Sequence, residues 1–123
     1  MSDTTNKIER GLAAYREVMG GDATPPQDAY QEATIGHLFG EVWTRPGLSR
    51  KERRWITLTI AGMTGNTLAI QGHVKAALQS GDISPAEALE WVLHFAHYGG
   101  WPLSTALYMA VRQATAEVEA TRT

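Results

Sequence analysis

The sequence predicts an all-α protein, and three observations carry that expectation. Apolar residues recur at spacings of three and four along most of the chain, and no stretch shows a convincing period-two alternation. Gly, Pro and Ser-x-x-Glu signals divide the chain into six helix-length segments. At 123 residues a single domain spanning 1–123 is expected, with room for one real core and little for a second.

The elements follow in order. Residues Asn6 to Met19 carry Ile8, Leu12, Tyr15 and Met19 at spacings of four, three and four, which is one helix face. Gly20-Gly21 stops this helix, and Pro25-Pro26 marks a loop. Gln27 to Trp43 reads as a second helix, with Tyr30, Ile35, Leu38, Phe39 and Val42 mostly on one side, and Pro46-Gly47 then turns the chain. Ser49 and Glu52 form a capping box that opens a third helix, running to about Met63 with Ile56, Thr57, Ile60 and Ala61 inward. Thr64-Gly65-Asn66 breaks it. A fourth helix, Thr67 to Gln79, ends at Ser80-Gly81, where glycine suits a left-handed C-terminal position. Ser84 and Glu87 form a second capping box with Pro85 at the first helical position, and this fifth helix runs to about Tyr98. Gly99-Gly100 ends it, and Pro102 opens a sixth helix that runs to about Ala120.

Composition narrows the function classes. Hydrophobic content of 43% with 20% charged residues argues against disorder. A formal charge of -2 without a dense Lys/Arg cluster offers no footprint for nucleic acid or an anionic membrane. The run RKERR, Arg50 to Arg54, is interrupted by Glu52 and reads, for most of its charges, as a solvated first helical turn. The chain has no cysteine, which excludes disulfides, Cys-ligated metals and thiol chemistry by its own side chains. MSDTTNKIERGLAAYREVMGG lacks an apolar signal-peptide core, so no secretory signal is expected, and a cytoplasmic location is. Trp91 to Val111 is the most apolar stretch, but its two histidines, Gly-Gly and proline suit a buried helix pair better than a membrane span. The third, fifth and sixth helices are apolar around more of their circumference than a small monomeric bundle needs. Trp43, Trp55, Trp91 and Trp101 add large surfaces, so a homo-oligomer is predicted.

The chemical inventory is small. The four histidines are His37, His73, His94 and His97. His94 and His97, within HFAHYGGWP, are three apart and share a helix face. His73 falls mid-way along the fourth helix among Ile70, Val74 and Ala77, a setting where a histidine is more often a hydrogen-bonded core residue than a catalyst. Glu87 and Glu90 precede His94 at helical spacing, so a metal set exists on paper. Exposed charges are the simpler account of both, and no metal is expected. No G-x-S-x-G, P-loop or dinucleotide fingerprint is present. Gly99-Gly100 before Pro102 terminates one helix and also leaves the next one's N–H groups available to an anion.

Two stretches carry a resemblance. LFGEVWTRPGLSRKERRWITL (Leu38 to Leu58) and GHVKAALQSGDISPAEALEWVLHFAHYGGWP (Gly72 to Pro102), with the helix that follows, resemble the carboxymuconolactone decarboxylase family over most of residues 30 to 112. The resemblance implies a compact six-helix subunit of the carboxymuconolactone decarboxylase/alkylhydroperoxidase D-like type, assembled as a ring-like homo-oligomer, trimer or hexamer. One branch of that family uses Cys-x-x-Cys ahead of a histidine. Here Asn66 and Ala69 stand in those positions before His73, so thiol peroxidase chemistry is absent. The other branch implies a cofactor-independent decarboxylase acting on a small carboxylated γ-lactone.

By that resemblance Arg53, His73 and His94 are the catalytic candidates, with Arg53 placing a substrate carboxylate and the histidines serving proton transfer and oxyanion stabilisation. Glu32, Tyr98, Trp101 and His97 are candidates for contacting the substrate. This sequence departs from the family twice. His97 stands where an apolar residue is usual, and Ala69 stands where many decarboxylase-like members carry glutamate. The alternatives are a lyase, isomerase or tailoring enzyme on another cyclic metabolite, or a non-catalytic oligomeric binding protein.

Overall fold

Short polar side chains start most of the helices in the computed structural model, which describes residues 3–122. α1 spans Asp3–Met19. Asp28 accepts from the Gln31 N–H at 2.8 Å and opens α2 (Ala29–Glu32), which runs on into a π-helical stretch, Ala33–Val42. α3 (Arg50–Thr64) has the expected reciprocal box: the Glu52 N–H donates to Ser49 Oγ at 3.0 Å and the Ser49 N–H to Glu52 Oε1 at 2.8 Å. Asn66 caps α4 (Thr67–Ser80), and Gly81 closes it at φ 80°, a left-handed conformation that side chains beyond glycine resist. Ser84 and Glu87 box the start of α5 (Pro85–Gly99), and Gly100 at φ 95° leads into α6 (Trp101–Thr121). Among the described residues there is no strand, and no helix is long and apolar enough to cross a membrane.

The described residues form two compact units, one ending at Arg53 and the other beginning at Arg54, so the boundary falls in the first turn of α3. In the first unit α1 lies on the π-helical stretch. Gly11 packs directly on the Ile35 backbone, and a Cβ on Gly40 would sit 3.1 Å from the Gly11 Cα, so two glycines set this close approach. The buried face of α1 is therefore Gly11, Ala14 and Val18. Leu12, Tyr15 and Met19, expected to be the inward face, flank it and are half-buried. In the π-helical stretch the buried positions are Ile35, Gly36, Phe39 and Gly40, with Trp43 just beyond, whereas Leu38 and Tyr30 are exposed. Phe39 is edge-on to Tyr15 at 4.9 Å and stacked on Trp43 at 6.3 Å.

In the second unit α4, α5 and α6 pack with the rest of α3 around Leu58, Val74, Leu78, Val92, Phe95, Leu107 and Val111. The inward face of α3 is Arg54, Leu58, Ala61 and Gly62. Ile56 and Ile60, expected inward, point out and are 50% and 61% exposed. Two causes turn the helix this way. A Cβ on Gly62 would sit 3.0 Å from the Phe95 ring and 3.1 Å from Leu107, so glycine admits both neighbours at close range. Asp82, in the turn between α4 and α5, draws Arg54 inward through a 2.6 Å bond to its Nε. Arg54 is 2% exposed, so the solvated reading of the basic run fails at this residue.

Candidate functional site

α5 presents one polar line to one side. Glu87, Glu90, His94 and His97 recur at spacings of three and four, with Trp91 and Tyr98 interleaved on the same face. Opposite them α3 contributes Trp55, Thr59 and Met63, again four apart. Between the two faces lies a cleft of about 1090 Å³. Trp91 Nε1 donates to Thr59 Oγ1 at 3.0 Å and bridges the two helices, while its ring meets Phe95 edge-on at 5.9 Å. The walls are mostly apolar, and no Lys or Arg is among the lining residues.

The histidine end of the cleft is shaped by the close of α5. A side chain on Gly99 would collide with the Phe95 ring, so the helix ends at a residue without one. His94 is exposed, its ring 5.5 Å from that of Tyr98. His97 is held by its Nδ1, 2.8 Å from the Leu93 carbonyl oxygen, and by the edge-on ring of Trp101 at 5.4 Å.

The other sequence candidates sit elsewhere. His73 is half-buried on α4 and is not among the residues lining the cleft. Burial first, and the positive charge of Arg54 second, hold its pKa below the ordinary 6.5. Arg53 and Glu32 belong to the first unit, where Arg53 Nη2 donates to the Arg45 carbonyl at 3.1 Å and Glu32 is exposed at the end of α2. His37 pairs with Glu41 at 2.9 Å on the surface, a contact that with Lys7 holds the Glu41 carboxyl below its usual range. Among the described residues no group of three His, Asp or Glu side chains is placed to hold a metal ion. The structure thus gathers His94, His97 and Tyr98 in one cleft and sets Trp101 against His97.

Trp55, Thr59, Met63, Glu87, Glu90 and Trp91 also line the cleft, although none of them was a sequence candidate for the site. Their spacing on each helix was available as a signal. The pairing of those two faces was not.

The lowered pKa of His73 has a measurable consequence. Well above pH 6.5 the residue is neutral in both folded and unfolded chains. As pH falls below that value the unfolded chain takes up the proton first, so folded stability declines until the folded pKa is passed. Melting curves from about pH 8 to about pH 5 should show that decline, and a His73→Gln variant should flatten it. Equal slopes in the two proteins would mean that other groups carry the dependence.

Comparison with known proteins adds to this geometry. The sequence model of the carboxymuconolactone decarboxylase family matches residues 28–113. A nitrosuccinic acid decarboxylase of Metarhizium robertsii is 33% identical over 115 residues, covering 82% of this chain and 80% of that protein. A 4-carboxymuconolactone decarboxylase of Acinetobacter baylyi is 36% identical over 113 residues, covering 85% and 84%. Both relatives are named for loss of carbon dioxide, which supports a decarboxylase-type activity here.

Proposed function

The chain belongs to the carboxymuconolactone decarboxylase family, and from that membership we propose a carboxy-lyase that acts without a cofactor on a small carboxylated lactone or related acid. The observation that carries this reading is the cleft, where His94 stands on largely apolar walls that include no Lys or Arg. A carboxylate leaving as carbon dioxide loses its charge from the place it occupied. Walls that solvate that charge poorly favour the departure over the bound acid.

The electron pair left behind needs an acceptor. In a carboxylated γ-lactone it delocalises to the lactone carbonyl oxygen, and in a nitro acid it delocalises to the nitro group. Either substrate requires a hydrogen-bond donor at the developing oxyanion and an acid for the carbon. We assign the oxyanion to His94 and a part in proton transfer to His73. Arg53 takes a carboxylate that the substrate keeps. Its planar fork is the shape that suits a carboxylate. Tyr98, Trp101 and His97 contact the substrate body, and Glu32 is a secondary candidate for orienting a histidine. The outward pair Ile56 and Ile60 on α3 is the surface we assign to a second copy in a ring-like homo-oligomer.

One preparation tests these points. Its mass is read by light scattering, and carbon dioxide is followed on adding 4-carboxymuconolactone or nitrosuccinate. A multimeric mass and release above the uncatalysed rate are expected. A monodisperse monomer at micromolar concentration removes the oligomer, and no release from either acid removes the decarboxylase.

A further inference from the structure

His97 is held in a way that His94 is not. The Leu93 carbonyl oxygen, 2.8 Å from His97 Nδ1, can only accept, so the hydrogen of this contact sits on Nδ1. In the neutral ring Nε2 is then the atom with the lone pair, the reverse of the tautomer that imidazole prefers in water. Trp101, edge-on at 5.4 Å and 71°, restrains the ring plane. Nε2 has no protein partner among the described residues, and His97 lines the cleft one helical turn beyond His94. His94 meets the Tyr98 ring but has no hydrogen bond that chooses between its nitrogens.

We infer that His97 is a further catalytic residue of this cleft, the group that delivers the proton to the carbanion left when carbon dioxide departs; this role rests on the decarboxylase reading above. With Nδ1–H committed to the backbone, a proton enters and leaves the ring only at Nε2. Nε2 first takes a proton from hydronium, leaving water, and both nitrogens then carry hydrogen. When the bond between the carbon and the carboxylate breaks, its electron pair stays on the substrate and spreads to the oxyanion. A carbon over which that pair is spread then takes the proton: the Nε2–H bond breaks, a C–H bond forms, and the ring returns to its starting tautomer. The step needs no oxidant, reductant or further reactant. His94 is left to donate to the oxyanion. Glu87 and Glu90, the carboxylates on this face of α5, lie toward its N-terminal end.

Two measurements on the full chain decide it. With ¹⁵N-labelled histidine, and His97→Asn used to assign the signal, the imidazole spectrum should show the Nδ1-protonated neutral form. An Nε2-protonated His97 overturns the inference without touching the decarboxylase reading. In turnover of 4-carboxymuconolactone, His97→Asn should lower kcat about a hundredfold while KM stays within about twofold. His97→Ala should regain part of its rate when imidazole is added, a response that a purely structural role does not produce. Wild-type release matched by His97→Asn overturns the role of His97 alone. No release by the wild type from either acid removes the decarboxylase reading, and this role with it.

Discussion

Replacing Asp82 with alanine is expected to lower folding stability by about 3–5 kcal/mol, the cost of stranding a buried charge. The bond from Arg54 Nε to Asp82 is 2.6 Å long, and the two side chains are 2% and 15% exposed. Without the carboxylate, the guanidinium keeps the full penalty of leaving water and loses the charge that offsets it. The pair also holds the turn between α4 and α5, where Ile83 is almost fully buried and its N–H donates to the Ala77 carbonyl. Loosening that turn would disturb the start of α5, the helix that carries the cleft histidines. Urea unfolding of the wild type, Asp82→Ala and the double variant Arg54→Leu/Asp82→Ala separates the causes. The double variant should recover part of the loss, because it removes the stranded charge. A loss under about 1 kcal/mol in the single variant would mean the pair behaves as a solvated surface bridge.

His94→Ala is expected to lower kcat by about two to three orders of magnitude, the range for loss of an oxyanion donor. The side chain is exposed and its ring meets that of Tyr98, so stability should change by no more than about 0.5 kcal/mol. Carbon dioxide release measured beside a thermal melt checks both halves of this expectation. His94→Gln keeps a hydrogen-bond donor without an acid, so a rate between wild type and alanine would point to oxyanion stabilisation. An unchanged rate in the alanine variant would remove His94 from the chemistry. His73→Ala is the comparison: its half-buried ring, kept neutral by burial and by Arg54, should cost both rate and stability when removed.

Local signals in the chain located the helices well, and the reason is physical. Ser49 with Glu52 and Ser84 with Glu87 close hydrogen bonds across three residues, so the chain alone carries everything such a box requires. Gly81 and Gly100 occupy positive-φ positions for a similarly local reason. The α5 face that holds His94 and His97 was legible because helical spacing puts those residues in line.

Which side of a helix turns inward is a different kind of question. α3 carries apolar residues around much of its surface, so the pattern could not choose between Ile56 with Ile60 and Leu58 with Gly62. The choice came from close approach of Phe95 and Leu107 to a residue with no side chain. Arg53 and Arg54 are neighbours of one type. Only the placement of Asp82 twenty-eight residues on makes one of them a buried ion pair. The chain by itself determined an all-α protein, its helix starts and stops, its family and the histidines worth testing, because those depend on contacts within a turn or two. Tertiary structure alone decided the π-helical packing of Ala33–Val42 and the pairing of α3 with α5 into a cleft. Those features depend on which surfaces meet and on the single rotamer a packed side chain adopts. Neither is contained in the spacing of residues along the chain.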